Sequence, residues 1–263
     1  MPAPTMRDRL RRSPLRRAVQ WQRHRGLDAR DAYIASYPRS GNTWLRFVLA
    51  ELLTGEPVDF IGVDRVSPPV GTQTEDARLL TTGGRLVKTH EPYRPLYTKA
   101  LYLIRDPRDV VISWYSLLND DPRSLNGFDA FLDDFVAGRV AGYGSWQDHV
   151  RGWLDAARTH PGAIRVDRFE DMRADLHGFV ARACALLDID ADDARIAAAL
   201  DHNTKEHMRA REQQSLGYLK SLGWKSQGVR EGAVGGWREI LQPHHLATLR
   251  PVLDLAQELG YEV

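Results

Sequence analysis

The stretch "SYPRSGNTW", residues 36–44, constrains this chain more than any other. It follows "AYIASY", a short buried-strand pattern, and opens "NTWLRFVLAELLTG", where Trp44, Phe47, Val48 and Leu52 recur at helical spacing before Gly55 supplies a stop. A strand that enters a tight loop and then a helix brings unpaired backbone N–H groups and the positive end of the helix dipole to one point. An anion belongs there.

Set against the Walker pattern G-x-x-x-x-G-K-[ST], Gly41 and Thr43 hold the second glycine and the hydroxyl, but Asn42 replaces the lysine and Ser36 the first glycine. Triphosphate chemistry loses its main cation, while Arg39 keeps a charge beside the phosphate nearest the loop. The rest of the chain alternates in the same way. "RLVKTH" and "ALYLIR" read as strands buried on both faces, the second running into "RDPRDVVISWYSLL", where Asp106 suits the N-cap, Pro107 the first helical position and Asp109 the first turn. Helical patterns "FDAFLDDFVAG" and "SWQDHVRGWLDAART", a strand "AIRVDRF" and a helix "LHGFVARACALLDI" follow. This order predicts an α/β fold with three layers, α/β/α, around a central parallel sheet.

Two segments lack a clean period. "VDFIGVDRVSPPVGTQTEDARLLTTGG" reads as a surface excursion, and residues 202–237 as a long loop. A last helix, "PHHLATLRPVLDLAQELG", is expected to kink or divide at Pro251. Residues 1–30 form an Arg-rich arm, read as solvated and partly disordered, with contact to a membrane surface or acidic partner as the other reading; 31–263 is one domain.

A net charge of +1 over 263 residues excludes a whole-protein field for nucleic acid, so no nucleic-acid partner is expected. The single cysteine, Cys184, lies in an apolar helical run and suits a reducing compartment; with no apolar leader or spanning segment, the chain reads as cytoplasmic.

"SYPRSGNTW" resembles the 5′-phosphosulfate loop of sulfotransferases that use 3′-phosphoadenosine 5′-phosphosulfate (PAPS), close to T-Y-P-K-S-G-T-T-W, with Arg39 for Lys and Asn42 for Thr. The resemblance implies a P-loop NTPase-like fold in which Arg39, Ser40, Gly41, Asn42 and Thr43 hold the phosphosulfate end and Trp44 packs near the adenine. "YLIRDPRDVVISWYS" is similar to the family's 3′-phosphate motif, placing Arg105 and Ser113 on that phosphate, with Asp109 structural. "GWKSQGVREGAVGGW" resembles the C-terminal segment R-K-G-x-x-G-D-W that folds over the nucleotide; Arg230, Gly232, Gly235 and Trp237 match, while Glu231 and Gly236 depart. This makes residues 201–240 a cofactor-covering lid. Weaker matches put Phe169 of "RFEDM" in a Tyr position and Thr204 and Met208 of "NTKEHM" at the adenine, with Lys205 replacing a Phe; Glu170 and Asp171 are read as helix-capping.

In "LVKTHEPY", Lys88 and His90 are two apart and project to one side of a strand's carboxyl end. The K-T-H pattern of the family gives His90 the role of base, Lys88 that of neutralising charge on the bridging oxygen, and Arg39 the same on the 5′-phosphate. His202 and His207 are five apart and His244 and His245 adjacent, so neither pair shares a helix face at i, i+4 and no metal is expected. A small-molecule acceptor is expected, with its pocket on "VDRVSPPVGTQTEDARLL", "SLLNDDPRSLNGF" and "AGYGSWQDH"; polyketide, glycopeptide, lipid and sugar acceptors stay open, as does the oligomeric state. A P-loop small-molecule kinase and a non-catalytic nucleotide-binding protein remain the other readings.

Overall fold

The computed structural model describes residues 14–118, 127–140, 142–221 and 232–262. Strands β1 (Ala32–Ser36), β2 (Leu86–Thr89), β3 (Ala100–Ile104) and β4 (Ile164–Arg168) form one parallel sheet in the order β2-β1-β3-β4. β1 lies between β2 and β3, with Ile34 paired to Lys88 on one side and Leu101 on the other. The chain steps one way from β1 to β2 and then crosses back to β3. The carboxyl ends of β1 and β3 therefore flank the switch point, where ligands sit in such sheets.

Alternate strand residues feed two cores, giving the three layers. Ala32 and Ile34 pack with Leu45, Val48 and Leu49 of helix α2 (Asn42–Thr54) and with Phe179 and Val180 of α8 (Leu176–Leu187), against which α9 (Asp193–His202) is laid. Tyr33 and Ala35 face the opposite core, shared with α4 (Pro107–Leu118), α5 (Phe128–Val136), α6 (Trp146–Thr159) and α12 (Pro243–Glu258). A buried pair closes the far end of the sheet: Arg85 Nε and Nη2 each donate to Asp31 at 2.9 Å, and the Arg85 N–H joins them at 2.9 Å. Backbone donation from Arg85 to the same carboxylate makes the pair a junction between the β1 and β2 entrances.

Four expectations change. The surface excursion contains a helix, α3 (Phe60–Val66), started by Asp59, whose Oδ1 accepts from the Gly62 N–H at 2.6 Å. The long loop after Asp201 is largely helical, as α10 (Lys205–Gln214) and α11 (Leu216–Ser221). Its buried face runs Met208, Glu212, Ser215, Leu219, a helical spacing whose two polar members hide it from a hydrophobicity pattern. Pro251 does not divide α12, because Leu249, Val252, Leu253, Leu255 and Ala256 bury both sides of it in one core. The basic arm forms α1 (Pro14–His24), with Pro14 at its first position. That helix is fastened to the body by Arg23 Nη2 donating to the Val70 carbonyl at 2.9 Å and by His24 Nε2 against the Tyr97 hydroxyl at 2.8 Å.

Candidate functional site

The loop between β1 and α2 carries two residues with left-handed backbone either side of Ser40, Arg39 at φ 76° and Gly41 at φ 91°. Arginine rarely adopts that conformation, so surrounding structure must hold it there. Arg105 does part of this: its Nη1 donates to the Arg39 carbonyl at 3.0 Å. Gly41 has no alternative residue, since a Cβ there would lie 2.6 Å from the Phe169 ring. Asn42, Thr43 and Trp44 then begin α2 with no intrahelical partners for their N–H groups, and Ser40 Oγ, fully buried, has no hydrogen-bond partner among the described residues. These unpaired donors around a glycine cradle fit a phosphate.

Three sequence motifs converge on Phe169, at the start of α7 (Phe169–Ala174). Its ring touches the Gly41 position, lies 4.7 Å beneath the Arg105 guanidinium, and meets Gly232 at 3.8 Å from where a Cβ would be. Arg105 Nη2 donates to the Ala233 carbonyl at 2.9 Å, and its Nε has no partner among the described residues. Asp109 accepts from the N–H groups of Gly235 at 2.8 Å and Trp237 at 3.0 Å, which defines the structural role read for it; Arg108 stacks 3.8 Å over the Trp237 ring. The 232–239 segment is thereby fastened along α4. Arg230 and Glu231 lie outside the described residues.

A side-chain hydrogen bond links the phosphate loop to the 105–113 motif. Arg39 turns its side chain out of its own loop and donates from Nε to Ser113 Oγ at 2.9 Å. Asn42 is turned inward: Nδ2 donates to the Ile34 carbonyl at 3.2 Å and to Ser36 Oγ at 3.3 Å, so its side-chain amide is engaged within β1 rather than at the loop surface. Trp44 Nε1 donates to the Asn203 carbonyl at 2.9 Å, Thr204 N-caps α10, and Met208 is buried in a cluster with Phe47, Phe60 and Leu219. Thr204 and Met208 thus hold α10 against α2, with Trp44 bordering both clusters.

Lys88 and His90 stand together at the carboxyl end of β2, both half-buried. Burial, reinforced by the charge of Arg46, lowers the Lys88 ammonium to about 7. Burial and the neighbouring Lys88 hold His90 well below the ordinary imidazole range. His90 Nδ1 lies 2.9 Å from the Ser36 carbonyl, which can only accept, so Nδ1 carries the proton and Nε2 the lone pair. The backbone of this turn is held from α6: His149 Nε2 donates to the His90 carbonyl at 3.0 Å and Trp153 Nε1 to the Glu91 carbonyl at 3.2 Å. A cavity of ≈ 60 Å³ opens beside His90, bordered by Lys88, Glu91, Tyr143 and, from α1, Arg23. Trp146 and Trp153, by contrast, are core residues.

Sequence reading missed several of these contributors. Arg46, buried inside α2, donates from Nη2 to Asp64 at 2.7 Å and sets the field at Lys88; an arginine on a buried helix face was the available signal. Glu170, read as a helix cap, instead accepts from the Asp106 N–H at 3.1 Å and the Tyr261 hydroxyl at 3.0 Å, while Asp171 pairs with Arg168. The structure also brings His244, His245 and Asp129 together, with ligand atoms within 4.8 Å, which adjacency in sequence had argued against. His245 Nδ1, however, accepts the Gln242 N–H at 3.0 Å, so its Nε2 carries the proton toward Asp129 and lacks the lone pair a metal needs. A wider depression of ≈ 300 Å³ is lined by His202, His207, Ala210, Arg211 and Gln214.

A family model described as a sulfotransferase domain matches residues 29–259. Sulfotransferase 1B1 of Mus musculus is 27% identical over 245 residues, covering 84% of this chain and 81% of its own. Mouse sulfotransferase SULT7A1 complexed with 3′-phosphoadenosine 5′-phosphate (PAP) shares the fold with a TM-score of 0.63 at 23% identity, covering 89% of this chain and 86% of that one. Retinol dehydratase in a complex with retinol and PAP does so with 0.69 at 21%, covering 92% and 85%. With the phosphate loop, its missing Walker lysine and a match over nearly the whole chain, this protein belongs to the sulfotransferase family, enzymes that carry a sulfuryl group from PAPS to an acceptor.

Proposed function

We propose that this sulfotransferase binds PAPS across the Gly41 loop and the Arg105–Ser113 motif and sulfates a small-molecule hydroxyl or amine placed against His90. The observation that carries the assignment is the convergence on Phe169 of Gly41, Arg105 and Gly232, which belong to three motifs far apart in the chain. The unpartnered Ser40 Oγ and Arg105 Nε supply donors of the type that phosphate oxygens accept.

In this reading Arg39, Ser40, Gly41 and Thr43, with the Asn42 N–H, hold the 5′ end; Arg105 and Ser113 hold the 3′-phosphate. Phe169 and Trp44 flank the base, and Thr204 and Met208 support that wall. Residues 201–240 cover the nucleotide, Gly232 and Arg230 included. PAPS, when bound, supplies the sulfuryl group and leaves as PAP. His90 Nε2 takes the acceptor proton, a role its depressed basicity permits at neutral pH because the ring stays uncharged until it accepts. Lys88, only partly protonated at neutral pH when alone, gains its full charge beside an anion and so opposes charge growing on the departing oxygen. The ≈ 60 Å³ cavity beside His90 is where the reacting end of the acceptor would enter. No described helix is long and apolar enough to cross a membrane, and buried Cys184 suits a reducing, cytoplasmic setting.

Calorimetry with PAP, and with ATP and Mg²⁺, tests the donor assignment; a PAPS-dependent screen of phenols, alcohols, sugars and amines with PAP release as readout tests the reaction. Binding of ATP with no response to PAP would return the protein to the kinase reading.

A further inference from the structure

Asn42 stands where the family pattern has a threonine, and its amide is engaged inside β1. The residue is 3% exposed; Nδ2 donates to the Ile34 carbonyl at 3.2 Å and to Ser36 Oγ at 3.3 Å. A carbonyl only accepts, so the Ile34 contact fixes which end of the amide faces the strand. Ser36 Oγ in turn lies 3.3 Å from His90 Nδ1, whose other partner is the Ser36 carbonyl at 2.9 Å. Two oxygens of one residue thus face one ring nitrogen, and Asn42 holds the side-chain oxygen in place.

We propose that Asn42 is a positioning residue for His90, acting through Ser36 Oγ to keep the proton on Nδ1 and the lone pair on Nε2. This rests on His90 being the base under Proposed function. A second acceptor at Nδ1 favours one tautomer and resists ring rotation, the service that partners of functional histidines perform elsewhere. The donors and acceptors match along this relay: Asn42 has two N–H donors for the Ile34 carbonyl and Ser36 Oγ, and Ser36 Oγ accepts from both Asn42 and His90. Threonine offers one donor instead of two. The phosphate loop and the base are therefore mechanically linked at the first residue of α2.

Ring ¹⁵N spectra of the full chain saturated with PAP at pH 7.5, with calorimetry for PAP, provide the test. Wild type should show His90 as the Nδ1–H tautomer; Asn42→Ala and Ser36→Ala should each give a mixture with the Nε2–H form, while PAP affinity stays within about threefold. With an acceptor turned over in the screen, kcat should fall about tenfold in Asn42→Ala, with no further loss when the change is added to His90→Ala. An unchanged tautomer in both variants, or a tenfold loss of PAP affinity with the tautomer intact, would overturn the proposal and make Asn42 a phosphate contact or a packing residue. If Asn42→Ala does not fold, Ser36→Ala reads the same link from its other end. Silence toward every acceptor would count against the base assignment alone, since the tautomer reports on Asn42 without turnover.

Discussion

Filling the nucleotide site at pH 8 should draw nearly one proton from solvent, and Lys88 is the reason. Burial and the charge of Arg46 lower its ammonium from the ordinary 10.5 to about 7. At pH 8 such a group is only about one-tenth protonated. A 5′-phosphate beside it restores the charged form, because an anion offsets what desolvation costs the cation. The expected uptake is about 0.9 proton per PAP at pH 8 and about 0.5 at pH 7. Nucleotide phosphates, with a second pKa of about 6, are fully ionised at pH 8 and add little. Titration calorimetry in buffers of differing ionisation enthalpy reads this number as the slope of observed against buffer enthalpy. Lys88→Met should bring the slope near zero while the Arg105 and Ser113 contacts keep binding measurable. A wild-type slope below about 0.2 at pH 8, or a slope that Lys88→Met leaves unchanged, would refute the assignment of Lys88 to the phosphate.

The same residue makes the nucleotide-free protein more stable as pH rises from about 7, because across that window the unfolded chain binds the proton that folded Lys88 lacks. Denaturant unfolding should register a gain of about 1 kcal/mol between pH 7 and 9 after allowing for solvent screening, absent in Lys88→Met. His90→Ala should lower kcat by about 10²–10⁴-fold with PAP affinity retained by calorimetry. Asp109→Asn weakens the acceptance of two backbone N–H groups that fasten residues 235–237; thermal unfolding should show a loss of about 1–3 kcal/mol and PAP should bind more weakly. Gly41→Ala drives a methyl against the Phe169 ring and strains a left-handed turn, so it should cost about 2–4 kcal/mol, measured by urea unfolding, and be eased by adding Phe169→Ala.

Much of the frame was legible in the sequence because it depends on local order. The strand, loop and helix around Gly41, the Asp106–Pro107 helix start and the alternation of elements are properties of neighbours along the chain, and the structure reproduces each. Pattern reading failed where a helix buries polar groups. α10 and α11 set Glu212 and Ser215 on their inner face, and α3 packs over Arg46, which a count of apolar residues registers as loop. Pro251 was over-read for the complementary reason: burial of the residues around it outweighs the hydrogen bond it cannot make.

The sequence by itself determined which residue types reach the site and at what spacing, since motifs fix chemistry along the chain. Only the tertiary structure decided what each side chain meets. Arg39 crosses to Ser113, Asn42 turns into β1, His149 and Trp153 hold the His90 turn, and Lys88 loses much of its basicity beside Arg46. Each of these is set by contacts between residues far apart in the chain and by the loss of water around them. Desolvation and long-range hydrogen bonding are properties of packing and have no counterpart in a linear pattern.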